Sequence, residues 1–156
     1  MKSDQASSTD TRERIAIRNC RWIEIPKISD ARDGMIAVAE GGKNIPFAIR
    51  RVYFIYGLNY QHSHRGEHSH KKLKQVMFCV NGRVTLHLDD GFHQQEITLD
   101  EPHAGLYLGP DLWVVMKGFM QQCILLVLAS DSYRESDYIR DHRQFVERAR
   151  RKNGPL

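Results

Sequence analysis

Between Gln75 and Ala129 the chain is cut into short apolar runs by Asn81-Gly82, Asp89-Asp90-Gly91, Pro102 and Pro110. No long helix fits between breaks so closely spaced. Val84, Leu86 and Leu88 alternate with Thr85 and His87, the two-residue period of a strand buried on one face. Asn-Gly and Asp-Gly are the pairs that accept positive φ at hairpin turns. The pattern predicts strands over Gln75–Val80, Val84–Leu88, Gln94–Leu99, Ala104–Leu108, Leu112–Met116 and Gln122–Ala129. Many short strands with such turns close into a sandwich or barrel.

Upstream, Phe47–Tyr56 is the densest run of β-branched and aromatic residues. By parity Arg51 and Tyr53 share one face of it, and Val52 and Phe54 the other. Ile15–Ile25 and Met35–Ala39 read as further strands, Asp30–Gly34 as a turn and Gly57–Ser63 as a loop. Only the end reads as helix: Tyr138, His142, Phe145, Val146 and Ala149 recur at steps that share one helix face, with Ser136 as a possible N-cap. The expected fold is all-β, a cupin-like jelly-roll barrel with a C-terminal helix. Residues 1–14, polar and charged, are expected to be a disordered N-terminal extension, and 15–156 a single domain.

The net charge of +4 favours an anionic ligand. Much of the basic charge lies in the last helix, at Arg143, Arg148, Arg150, Arg151 and Lys152, with no aromatic-rich basic stripe, so nucleic acid is not an expected partner. No apolar run approaches a membrane span. Cys20, Cys79 and Cys123 are odd in number, and two sit inside apolar strands; buried reduced thiols and a cytoplasmic setting follow as expectations.

The chemistry concentrates in Arg65-Gly66-Glu67-His68-Ser69-His70. On a strand, residues i and i+2 project from the same face, so His68 and His70 stand side by side. A metal-binding cupin would continue His-x-His with a carboxylate a few residues on and a later histidine. Here those places hold Lys74 or Gln75, and Val114 after Trp113, so no metal is expected. His62-Ser63-His64 repeats the spacing in the preceding loop and reads as solvated. Without metal, two imidazoles suit proton transfer near neutral pH. Spacing alone leaves open whether they are an acid/base pair or two hydrogen-bonded histidines filling the barrel mouth.

Several stretches together resemble the sugar 3,4-ketoisomerases that act on dTDP-4-keto-6-deoxyglucose. They are Asn44-Ile45-Pro46-Phe47, Arg51-Val52-Tyr53, Arg65-Gly66-Glu67-His68-Ser69-His70-Lys71, Asn81-Gly82, Leu88-Asp89-Asp90-Gly91, Gly105-Leu106-Tyr107-Leu108, Trp113, Ala129-Ser130 and Asp137-Tyr138-Ile139-Arg140. The resemblance spans roughly residues 30 to 146. It implies a homodimeric jelly roll that needs no cofactor and isomerises a dTDP-linked 4-keto-6-deoxy sugar to its 3-keto isomer for amino-deoxysugar synthesis. It implies catalytic roles for His68, His70 and Tyr53, with Arg51 and Arg65 binding substrate; Trp113 is a candidate to stack on nucleotide or sugar, against the plainer reading of a buried barrel aromatic. The chain departs from the family pattern at Asp33, which delays Gly34, and at Val114, where a histidine often follows the tryptophan. Those departures keep in view a cupin sugar-nucleotide epimerase and a non-catalytic sugar-nucleotide-binding paralogue.

Overall fold

A computed structural model of the chain describes residues 12–58 and 62–154. Most of the expected extension, and the middle of the Gly57–Ser63 loop, lie outside the described residues. Arg12 to Arg14 lie against the sheet instead of leaving it. The Trp22 indole donates to the Glu13 carbonyl at 3.1 Å, and the Gln95 amide to that of Arg14 at 2.9 Å.

Among the described residues twelve strands and one α-helix follow in order: β1 Cys20–Glu24, β2 Lys27–Asp30, β3 Gly34–Ala37, β4 Arg51–Ile55, β5 Arg65–His70, β6 Gln75–Asn81, β7 Val84–Asp89, β8 Gln94–Leu99, β9 Ala104–Leu108, β10 Trp113–Lys117, β11 Ile124–Ala129, β12 Tyr138–Ile139 and α1 His142–Lys152. One antiparallel sheet runs β1-β9-β6-β11-β4, the other β12-β5-β10-β7-β8; β2 and β3 form a separate hairpin. The jelly-roll fold is the expected one. Met77, Cys79, Leu106, Leu125 and Val127 from the first sheet meet Leu86, Leu88, Ile97, Leu99 and Met116 from the second in one core. β6 is apolar on successive residues because both its faces are covered. Val76 and Phe78 point outward into a second cluster with Ile23, Ile25, Ile45 and Leu128. Cys79 and Cys123 are buried free thiols with sulfurs 3.7 Å apart, and burial pushes the Cys79 thiol up to about 12.

Two boundaries differ from the sequence expectation. The Phe47–Tyr56 run pairs only over Arg51–Ile55; Phe47 and Ile49 pack instead against the second cluster. The C-terminal helix starts later than its apolar spacing implies, at His142, capped by the Asp141 carboxylate on the Gln144 amide at 2.8 Å. Tyr138 is therefore a strand residue: β12 pairs Tyr138 with His70 and Ile139 with Ser69. A short 3₁₀ turn, Glu135–Asp137, precedes it. The Asp137 carboxylate takes the Lys72 and Leu73 amides, and this pins the segment as an extra strand before the helix can begin.

Candidate active site

The site forms on β5, beside a local break in the ladder. Gly66 (φ +87°) and Glu67 (φ +55°) lie in the left-handed region, opposite a register shift between Val114 and Val115 on β10. A Cβ on Gly66 would stand 2.4 Å from the Val114 carbonyl oxygen, so only glycine lets the strands approach there. Past the bulge, β5 regains regular alternation, and His68 and His70 emerge on the same face with ring centroids 4.9 Å apart. Tyr138 completes a trio of rings, 4.9 Å from His68 and 4.4 Å from His70. Its place opposite His70 depends on long-range pairing, which residue spacing does not reveal.

Two adjoining hollows meet at this trio, both lined by Arg51 and Tyr138. The larger, about 490 Å³, is also lined by Tyr53, Arg65, His68 and Met116; it runs out over Phe54 and Tyr56. The smaller, about 270 Å³, reaches His70, Lys72, Ser130, Arg134 and Asp137. Of the expected site residues, the cleft thus gathers His68, His70, Tyr53, Arg51 and Arg65. It does not gather Trp113. That residue is 8% exposed and stacks edge-on against His142 at 5.0 Å and near Phe145 at 5.8 Å, beneath α1. Strand parity explains this. Val114 and Met116 belong to the core between the sheets, whereas Trp113 and Val115 face the helix on the outside.

The Gly66 carbonyl, 2.9 Å from His68 Nδ1, can only accept a hydrogen bond; it places the proton on Nδ1 and leaves Nε2 a lone pair. Burial lowers the His68 pKa, opposed by that hydrogen bond. Burial first, and then the neighbouring His68, lower His70 to about 4, against an opposing pull from Asp137. Both rings are neutral at pH 7. The Gln75 amide donates to the Tyr53 hydroxyl oxygen at 2.7 Å, so the phenolic hydrogen is free to point elsewhere. Burial raises the Tyr53 pKa and keeps the phenol protonated. Among the described residues neither Arg51 nor Arg65 pairs with a carboxylate, and the buried Arg51 Nε has no partner. Two unpaired guanidinium groups beside a cleft are a ready site for an anion.

A divalent cation finds no ligand set here. Gln75 at the carboxylate position spends its amide on Tyr53, and apolar Val114 sits opposite His68. Among the described residues no three of His, Cys, Asp or Glu converge. His62 and His64 are exposed.

The family described as FdtA: WxcM-like, C-terminal matches residues 18–150. The chain is 50% identical over 123 residues to TDP-4-oxo-6-deoxy-alpha-D-glucose-3,4-oxoisomerase of Aneurinibacillus thermoaerophilus, covering 79% of this chain and 87% of that one. Among solved structures it is similar to a histidine-to-asparagine mutant of the 3,4-ketoisomerase QdtA from Thermoanaerobacterium thermosaccharolyticum, in complex with TDP-4-keto-6-deoxyglucose. The TM-score is 0.86 at 39% identity, over 89% of this chain and 99% of that one. A further likeness, to the 3'-monoepimerase ChmJ of Streptomyces bikiniensis, has a TM-score of 0.68 at 18% identity over 80% of this chain and 70% of that one; it bears on the fold alone.

Proposed function

Since the chain belongs to the FdtA family of WxcM-like C-terminal domains, we propose that its cleft binds TDP-4-keto-6-deoxyglucose and that His68, His70 and Tyr53 move the protons that shift the carbonyl from C4 to C3. The protein is a TDP-sugar 3,4-ketoisomerase of deoxysugar biosynthesis. One observation supports the acid/base reading above the others: two neutral imidazoles, 4.9 Å apart, line a cleft that also holds a free phenolic hydrogen and two unpaired arginines.

The C3–H bond lies next to the C4 carbonyl and is acidified by it. An imidazole takes that hydrogen as a proton. The bond's electron pair becomes the C3=C4 double bond, and the carbonyl π pair moves to O4, which is protonated by Tyr53 or the second imidazole. In the resulting enediol, O3 gives its proton back to the group that protonated O4, its electrons rebuild a carbonyl at C3, and the C3=C4 pair takes up at C4 a proton from the imidazolium, which exchanges with solvent. No atom is gained or lost overall. Arg51 and Arg65 hold the pyrophosphate or steady the negative charge that develops on O4.

NMR of the protein incubated with TDP-4-keto-6-deoxyglucose is expected to show loss of the C3 proton and growth of a C4 carbinol proton. In D₂O the C4 position should carry deuterium. Exchange at a single carbon with the carbonyl still at C4 would instead indicate an epimerase, and an unchanged spectrum a binding protein.

Substrate closure also supports a homodimer. β4 is an edge strand whose Val52 and Phe54 are 51% and 60% exposed, and the larger hollow opens over Phe54 and Tyr56. The β2–β3 hairpin exposes Ile28, Met35 and Ile36 as well. An unpaired edge with this much apolar surface calls for a cover, and a second copy supplies one. Sedimentation equilibrium is expected to give a dimer, shifted toward monomer by Ile36→Asp; a wild-type monomer at micromolar concentration would reject it. Free thiols in the core support a reducing, cytoplasmic setting. Among the described residues no helix is long and apolar enough to cross a membrane.

A further inference from the structure

One carboxylate beside the cleft has no part in the steps above. Asp137 ends the 3₁₀ turn with its side chain 15% exposed. One carboxylate oxygen accepts the Lys72 amide at 2.9 Å, the other the Leu73 amide at 3.2 Å, and its backbone carbonyl accepts the Lys71 amide at 2.9 Å. Three bonds thus fix Asp137 to the turn that leaves β5. They hold Oδ2 3.2 Å from Nδ1 of His70, an approach not aligned as a hydrogen bond. His70 Nε2 is buried and without a partner among the described residues. The contrast with His68 is chemical. A neutral carbonyl backs the Nδ1 of His68, and a carboxylate stands behind that of His70.

We infer that Asp137 is the positioning residue of His70, taking a hydrogen bond from Nδ1–H so that the Nε2 lone pair faces the substrate, and meeting the imidazolium that forms when His70 holds a proton. The inference rests on the preceding reading, in which His70 transfers a proton. The charged and titratable groups facing His70 from other elements are Arg51 on β4 and Tyr138 on β12, with His68 on its own strand; Lys72, Asp131 and Arg134 line the same hollow, the last two paired with each other, and among the described residues Asp137 is the carboxylate in contact with the ring. The contact already stands at hydrogen-bond distance. The fixed turn gives the carboxylate little room to leave.

Long-range ¹H–¹⁵N spectra of histidine-labelled full chain read the tautomer directly. At pH 7 His70 is expected to carry its proton on Nδ1. Asp137→Asn, which keeps one oxygen for the Lys72 amide and turns its NH₂ toward Nδ1 at the cost of the Leu73 bond, should populate the Nε2–H form and lower kcat by about 10- to 100-fold, the scale of one charge-assisted hydrogen bond. KM should stay within about threefold on the same grounds, since the contact strengthens mainly as charge forms. The acid limb of the rate should move to lower pH, because the imidazolium loses its counter-charge. A merely structural role for Asp137 would move neither tautomer nor limb. An active wild-type chain with the His70 proton on Nε2, or an Asp137→Asn variant with unchanged rate and limb, would overturn the assignment. The wild-type spectrum decides even if the variant does not fold. An inactive wild-type chain would overturn the functional reading and the pair's role with it.

Discussion

Replacing His68 or His70 singly by Asn is expected to lower kcat for the ketoisomerase reaction by about 10²- to 10⁴-fold, the usual contribution of a positioned proton-transfer group. Asparagine keeps a polar group near the ring's place but cannot take up a proton at neutral pH. Binding of TDP should change little, because the anion site proposed for it is Arg51 and Arg65. The measurement that isolates the step is loss of the C3 proton of the substrate in D₂O, followed by NMR. Undiminished exchange in both variants would reject the acid/base role. The acid side of the pH profile follows from burial. His70 is held down to about 4, so its base form predominates above that value. The rate should climb as pH rises through about 4 and then level, well below the ordinary histidine range. The same shift acts on stability. Below an unfolded pKa of about 6.5 the unfolded chain takes up a proton that the folded His70 refuses. Stability is therefore fully present above that value and declines as pH falls toward about 4.

Phe145→Ala is expected to cost about 3–5 kcal/mol of folding stability, the range for emptying a fully buried aromatic site. Phe145 is 0% exposed and joins Trp113, Ile139 and Ala149 in the cluster that fastens α1 to the sheet. For a chain of this size the loss corresponds to a drop of roughly 6–20 °C in Tm, read by circular dichroism at the far-ultraviolet helix and sheet bands. A change under about 2 °C would show that the helix is not fastened through this ring. Activity should fall too, since Ile139 belongs to the same cluster and its neighbour Tyr138 walls the cleft.

The strand pattern from Gln75 to Ala129 was legible because hairpin dipeptides and two-residue alternation are local signals. So was the shared face of His68 and His70, which parity alone dictates once β5 is a strand. The resemblance pointed to Arg51, Arg65 and Tyr53, and the fold brings all three to one cleft. What stayed hidden is long-range. Tyr138 falls in helical step with His142 and Phe145, yet the capture of two β5-turn amides by Asp137 makes its segment a strand. Trp113 has the composition of a stacking residue, but the parity of β10 turns it toward α1. A single-residue reading of composition cannot see which side of a sheet a helix will cover.

The strand carrying the paired imidazoles lies midway along the polypeptide, but its outer flank is closed by Tyr138 and Ile139, translated some seventy residues later. Without that late segment His68 and His70 would lie on an open sheet margin, with neither Tyr138 nor Asp137 beside them. The wall of the cleft is therefore complete only once Tyr138 and Ile139 have paired with β5.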